Sequence, residues 1–286
     1  MKICNADGIT SSNSWKVSES EMNINFNFRH IAILLATTVA AFSLGCLVTT
    51  QHHVKTEVNE YKNDRVRAGE TVRERSSISE NPYSLSSPMR REYDEFRKWV
   101  FENKKIVYLS RSGNRQDLLD ISGALEAKGV SKISTELLEQ RLSSVNKIIA
   151  SLDAHTCSTL IRGGFNLSEF MIQAFPVINS FDEGEAKAWI QVNKAAIEAQ
   201  LAGSPNIVLS TEDAARALIK IARLSNASQS KTYFSGLASL KTASNEDACT
   251  TARTLYSLGN ELPEPYRGYM ARLLLTGRDG NEIINN

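Results

Sequence analysis

Followed from its N-terminus, the chain shows two kinds of hydrophobic stretch: one unbroken apolar run, and then a series of stripes spaced by three and four residues. The unbroken run, residues 31–51, reads IAILLATTVAAFSLGCLVTTQ and holds no ionisable group other than the Cys46 thiol. About 20 such residues, rising 1.5 Å each, cover the roughly 30 Å hydrocarbon core of a bilayer, and a helix pairs its own backbone groups there. A helix buried in a soluble domain normally keeps a polar face, which this run lacks. Residues 31–51 are therefore expected to form a single transmembrane anchor contacting the lipid bilayer. Two processing signals are the alternatives: Val39-Ala40-Ala41 offers small residues to a signal peptidase, and Gly45-Cys46 resembles a lipoprotein acceptor preceded by Ser43-Leu44 in the wrong order. The preceding tail, residues 1–30, is longer and less basic than the start of a signal peptide, which argues for a retained anchor.

Residues 52–87 read as stalk and linker. Val54, Val58, Tyr61, Arg65, Ala68 and Val72 recur at alternating intervals of four and three, the spacing of a helical seam. The seam is short and carries Arg65, so it is a candidate for no more than weak self-association. The following SSISENPYSLSSP is too poor in apolar groups to offset its conformational entropy by burial. Ser87-Pro88 then opens a soluble domain, 88–286, with Ser as N-cap and Pro at the first helical position, where a missing N–H costs nothing.

Within that domain Met89, Tyr93, Phe96 and Val100 line one helix face. IVYL at 106–109 reads as a strand or an extended connector before Gly113. A long helix is expected from Thr135 to Ile161, striped by Leu138, Leu142, Val145, Ile149, Leu152 and Leu160. Gly163-Gly164 separates it from a short helix, Leu167 to Ala174, ended by Pro176. Three further starts, Ser180-Phe-Asp-Glu183, Ser210-Thr-Glu-Asp213 and Ser244-Asn-Glu-Asp247, carry capping boxes, the Ser accepting from the N–H three residues on while the acid reaches back. A last helix begins near Pro263 and stops at Gly277. The expected fold is all-α: an N-terminal transmembrane helix, a flexible linker, and a helical bundle of five to seven helices.

Charge changes this picture by exclusion. Thirty-three Lys and Arg nearly cancel 32 Asp and Glu, so no basic field draws nucleic acid to the chain, and none is expected as a partner. Around the anchor, Lys16 and Arg29 precede it while Lys55, Lys62, Arg65 and Arg67 follow, which favours a cytoplasmic C-terminal part. The cysteines argue the other way. Cys157 and Cys249, the two in the soluble part, lie on the apolar faces of expected helices and are candidates for one disulfide in an oxidising compartment. That bridge would close 249 − 157 = 92 residues, for which chain entropy gives about 4 kcal/mol of stabilisation.

No constellation of residues commits the chain to a reaction. His155-x-Cys157 would be a base and thiol, but positions two apart on a helix point about 200° from each other. His52-His53 has no further ligands beside it, and Gly163-Gly164 lacks the strand and lysine of a phosphate loop. Asp182, Glu183 and Glu185, like Glu212 and Asp213, sit where first-turn acids cap helices. Asn166-Leu-Ser168 and Asn226-Ala-Ser228 match the glycosylation triplet. Neither catalytic residues nor a metal or cofactor are expected. The sequence therefore favours a non-enzymatic, membrane-anchored protein of the inner membrane, its helical domain facing the periplasm or exterior and acting as a protein-interaction or scaffolding module. Trp189, Tyr233, Phe234, Tyr266 and Tyr269 are its candidate interface anchors, since buried aromatics dominate binding energy. The alternatives are a membrane-tethered hydrolase of envelope polymers, with acids from Asp182, Glu183, Glu185 or Glu169, and a cytoplasmic-facing membrane adaptor.

Overall fold

Short polar caps divide the chain into more helices than its hydrophobic stripes announce. The computed structural model describes residues 81–282 except 111, 164–165 and 225–226. The expected anchor 31–51, the stalk, His52-His53 and Asn226 lie outside the described residues. Among the described residues there are eleven α-helices and no strand: α1 (Pro88–Glu102), α2 (Lys104–Leu109), α3 (Arg115–Gly129), α4 (Thr135–Ser151), α5 (Ala154–Arg162), α6 (Leu167–Asn179), α7 (Glu183–Leu201), α8 (Thr211–Leu224), α9 (Ala227–Ser239), α10 (Asn245–Glu261) and α11 (Tyr266–Leu275). None of these is long and apolar enough to cross a membrane.

The all-α class stands, and the count of five to seven helices is corrected to eleven for identifiable reasons. The long helix expected from Thr135 to Ile161 breaks at Leu152-Asp153, because Asp153 accepts from the Thr156 N–H at 2.7 Å and starts α5. Gln173 of α6 holds that break from both sides, its carbonyl accepting from the Asp153 N–H at 2.6 Å and its amide donating to the carboxylate at 2.7 Å. IVYL is not a strand: Asn103 caps the N–H groups of Lys105 and Ile106, and the stretch coils into α2. Pro176 does not end α6, which runs on to Asn179. The capping box assigned to Ser180 belongs two residues later, where Asp182 accepts from Glu185 N–H at 2.9 Å and the Glu185 carboxylate accepts from Asp182 N–H at 3.2 Å. Ser244 does cap α10, though the Asp247 carboxylate takes the Ser hydroxyl rather than its N–H. Gly277 follows α11 at φ 59, a left-handed conformation that glycine adopts without a Cβ penalty.

At the centre lies α4, flanked by α6, α7, α10 and α11; α7 in turn packs on α1 and α3, and α5 packs on α10. α3 and α7 approach closely at Gly129: a Cβ placed there would lie 1.8 Å from the Ala196 carbonyl oxygen. Beside it is a buried polar cluster. The Arg141 guanidinium lies 3.8 Å from the Trp189 ring centroid and 3.7 Å from the Glu126 carboxylate, and donates to Asn193 Oδ1 and, at 3.2 Å, to the Trp189 carbonyl. Burial pushes its pKa down to about 10, against the upward pull of Glu126. Such a cluster adds little net stability over an apolar core but is costly to leave half-made.

The packing also begins before the Ser87-Pro88 helix start. Tyr83, 2% exposed, stacks on Phe175 of α6 and meets Tyr93 of α1 edge-on. Arg90 donates to the Tyr83 carbonyl at 2.7 Å, and Asn81 to the Arg90 carbonyl at 2.7 Å. Residues 81–87 are thus part of the domain rather than of the linker. At the other end, α5 is tied to α10, where the Cys157 and Cys249 sulfurs stand at disulfide distance, with Cα atoms 5.4 Å apart.

Candidate interaction surface

The backbone of α7 carries Lys187, Ile190, Gln191, Lys194, Ala195 and Glu198 at intervals of three and four, which places all six on one side of the helix. Opposite them α1 presents Glu92, Glu95 and Phe96 by the same spacing. Together these nine side chains line an open groove of about 470 Å³. Its floor is apolar, with Phe96 and Ile190 buried, and its rim alternates in sign, with Glu92, Glu95 and Glu198 against Lys187 and Lys194. Arg91 bridges the two helices, donating to Glu92 at 2.9 Å and to Glu183 of α7 at 2.7 Å, and both carboxylates hold its pKa up. The Lys194 ammonium sits 5.1 Å from the Trp99 ring centroid. The lining includes no Ser, Cys or His, so this groove offers apolar burial and charge pairing rather than a nucleophile.

The five aromatics singled out by sequence do not form one surface. Trp189 is buried under Arg141 and beside Phe181, 5.7 Å between ring centroids. Tyr233 is buried next to Phe234, and burial drives its phenol pKa up. Phe234, Tyr266 and Tyr269 are half-buried, the two tyrosines edge-on on α11 with the Lys220 ammonium 5.7 Å from the Tyr266 centroid. The groove was missed because its floor residues read as ordinary core stripe on two helices remote in sequence.

All but Glu169 of the acids considered for catalysis have structural partners. Asp182 and Glu185 form the α7 capping box, Glu185 also takes the Lys147 ammonium, Glu183 pairs with Arg91, and Glu169 lies in the first turn of α6. His155 contacts Asn245 through Nδ1 at 3.3 Å, and its neighbour Cys157 is turned to Cys249. Asn166 spends its side-chain oxygen on the Ser168 and Glu169 N–H groups, capping α6.

A carboxyl pair that no local pattern announces lies elsewhere. Glu139 of α4 meets Glu264, 264 − 139 = 125 residues away, over Gly268 of α11. Partial burial, and then the hydrogen bond and charge of Glu264, raise the Glu139 pKa to about 7, while Arg267 opposes the shift. No group of His, Cys, Asp and Glu among the described residues is arranged to hold a metal ion. No known protein family matches the sequence, and neither curated proteins nor solved structures give a match.

Proposed function

We propose that this chain is a membrane-anchored, non-enzymatic scaffold, held in the inner membrane by residues 31–51, whose helical domain faces the periplasm or exterior and binds a partner protein. The observation that carries the reading is the α1/α7 groove, apolar below and alternately charged above. An amphipathic helical segment of a partner suits it: apolar side chains at i, i+3 and i+4 enter the floor while flanking charges meet Lys187, Lys194, Glu95 and Glu198. Only the groove's apolar centre would contribute strongly, since exposed rim pairs are each worth about 0–1 kcal/mol. The Cys157–Cys249 pair at disulfide distance supports the oxidising side of the membrane. Half-buried Phe234, Tyr266 and Tyr269 are secondary anchors.

The test is a photo-crosslinking residue in place of Gln191, which lines the groove and is exposed, in the full-length protein in its own membranes. A discrete adduct is expected, and it should be lost with Lys187→Glu/Lys194→Glu. Crosslinks that are absent, or that survive charge reversal of the rim, would overturn the groove assignment. Labelling with a membrane-impermeant thiol reagent, before and after reduction, decides the side of the membrane; reduced, shielded cysteines would mean a cytoplasmic-facing adaptor. A second reading, a tethered hydrolase of envelope polymers, draws on Glu139 beside Glu264, the raised pKa of Glu139 suiting a general acid. Polymer turnover by the full-length protein that disappears in Glu139→Gln would replace the scaffold reading with this one.

A further inference from the structure

The short helix α2 departs from the economy of the rest of the domain. Ile106 is buried in the core, yet the next three residues, Val107, Tyr108 and Leu109, are 43%, 87% and 49% exposed. Val and Tyr are weak helix formers, so neither helix propensity nor core packing explains these three side chains on the outside of a six-residue helix. Basic residues surround them. Lys104 and Lys105 are exposed on the same helix, Lys98 on the last turns of α1, and Arg115 across the following loop, where its guanidinium rides 5.4 Å from the Phe101 centroid. Lys98, Lys104 and Lys105 make no ion pair among the described residues. The neighbouring acids are Asp94 and Glu95, exposed one turn before Lys98 on α1, Glu102, exposed, and Asp117, whose carboxylate accepts from the Ser110 and Ser112 hydroxyls. At the tip itself Lys104, Lys105 and Arg115 stand against Glu102 and the hydroxyl-bonded Asp117, so the balance around the exposed side chains is positive.

We infer that the tip of α2 docks on an anionic lipid surface, Lys104 and Lys105 meeting headgroup phosphates while Tyr108 and Leu109 enter the interface. The inference rests on the membrane-anchor reading, and it names the lipid rather than a protein as occupant for two reasons. An 87% exposed tyrosine projects instead of lining a shaped pocket, and a fluid headgroup layer accepts projecting aromatic and aliphatic side chains without shape complementarity. Clustered Lys and Arg beside them complement an anionic leaflet. The tether permits the contact. α1 has 15 residues, so the tip lies about 22 Å from the end where residue 81 joins the domain. Residues 52–80 number 80 − 51 = 29 and extend to at most about 100 Å.

The experiment is amide hydrogen exchange of residues 104–110 in the full-length protein reconstituted in nanodiscs, with phosphatidylcholine alone or mixed with phosphatidylglycerol. Exchange is expected to slow in the anionic discs, to recover at high salt, and to recover in Lys104→Glu/Lys105→Glu, each lysine accounting for about fivefold. Tyr108→Ser should also reduce the protection while leaving exchange in α4 unchanged, which shows that the domain remains folded. Equal exchange in both lipids overturns the inference, as does protection that grows with protein concentration in the phosphatidylcholine discs, which would mean that a second copy covers the tip. If the chain fails to stay in discs, the anchor reading fails by itself. The same chain sedimented with phosphatidylglycerol vesicles then decides the tip: salt-sensitive binding lost in Lys104→Glu/Lys105→Glu supports it, and no binding overturns it.

Discussion

Replacing Gly129 by Ala sets two well-understood effects against each other. Gly129 closes α3 with φ −92 and ψ −16, a conformation any residue adopts, so backbone preference alone favours Ala by about 1 kcal/mol. The new methyl would, however, lie 1.8 Å from the Ala196 carbonyl oxygen and 2.6 Å from its carbon, both backbone atoms of α7. Ordinary contact begins at 3.4 Å, so the two helices must part by up to 3.4 − 1.8 = 1.6 Å along that line. A gap of 0.5–1 Å already forfeits roughly a quarter to a half of each dispersion contact, and overpacking of this kind costs about 1–3 kcal/mol, sometimes more. The same seam holds the buried Glu126–Arg141 pair at 3.7 Å, which separation would loosen further. We expect a cost at the top of that range, hence a net loss of about 2 kcal/mol after the propensity gain. For a domain of this size that lowers Tm by roughly 4–8 °C. Thermal unfolding of the full-length protein followed by far-UV circular dichroism measures it, with Gly203→Ala as a comparison, since nothing lies within 4 Å of a Cβ there and only its φ of +68 is unfavourable. A Gly129→Ala protein as stable as the parent, or more so, would refute the close packing of α3 on α7.

Reduction of Cys157 and Cys249 opens a 92-residue loop and should lower stability by up to about 4 kcal/mol, seen as a fall in Tm when reductant is added; an unchanged Tm accompanied by two newly titratable thiols would contradict this. Glu139 gives a pH dependence of defined sign. Its pKa is raised from 4.5 to about 7 on folding, so the folded state holds the proton more firmly, and stability declines as pH rises from about 4.5 through 7. Solvent screening at this half-buried site keeps the slope small, and Glu139→Gln should flatten it; a Tm that rises over that interval in the parent because of this residue would reverse the assignment.

What the sequence disclosed and what it withheld follow one physical division. The stripe of α4, the face of α1 and the starts of α8 and α10 were legible because apolar spacing and side-chain caps act within a few residues. α3 was missed because the side it buries, Leu118, Leu119, Ser122, Glu126 and Gly129, is half polar or small; it packs through close approach and a buried ion pair, which leave no apolar stripe. α2 was misread because Ile, Val and Tyr favour strands, a preference overridden by the Asn103 cap and by a single anchor, Ile106. The Asp153 break is hidden in sequence because apolar residues continue the stripe on both sides of it. The groove and the Glu139–Glu264 pair depend on contacts between segments about 100 residues apart, to which local patterns are blind.

A fold of many short helices must satisfy many helix ends, and here arginine carries much of that work. Arg162 donates to the carbonyls of Leu240, Ala243 and Ser244 between α9 and α10, and Arg253 to Leu152 at the end of α4. Arg272, buried on α11, reaches the carbonyls of Ile207 at 2.9 Å and Ile133 at 3.0 Å, and Thr135 Oγ1 at 3.1 Å, tying two segments to one helix. The planar guanidinium suits this role because it offers five fixed donors and keeps its charge when buried, whereas an ammonium is a strongly hydrated point charge. The division has a functional consequence. With these three arginines committed to carbonyls inside the fold, much of the cationic character at the groove rim and at the α2 tip falls to lysines, Lys187 and Lys194 in one case and Lys98, Lys104 and Lys105 in the other. Charge reversal at those lysines is therefore expected to leave stability nearly unchanged, while loss of Arg162, Arg253 or Arg272 is expected to lower it.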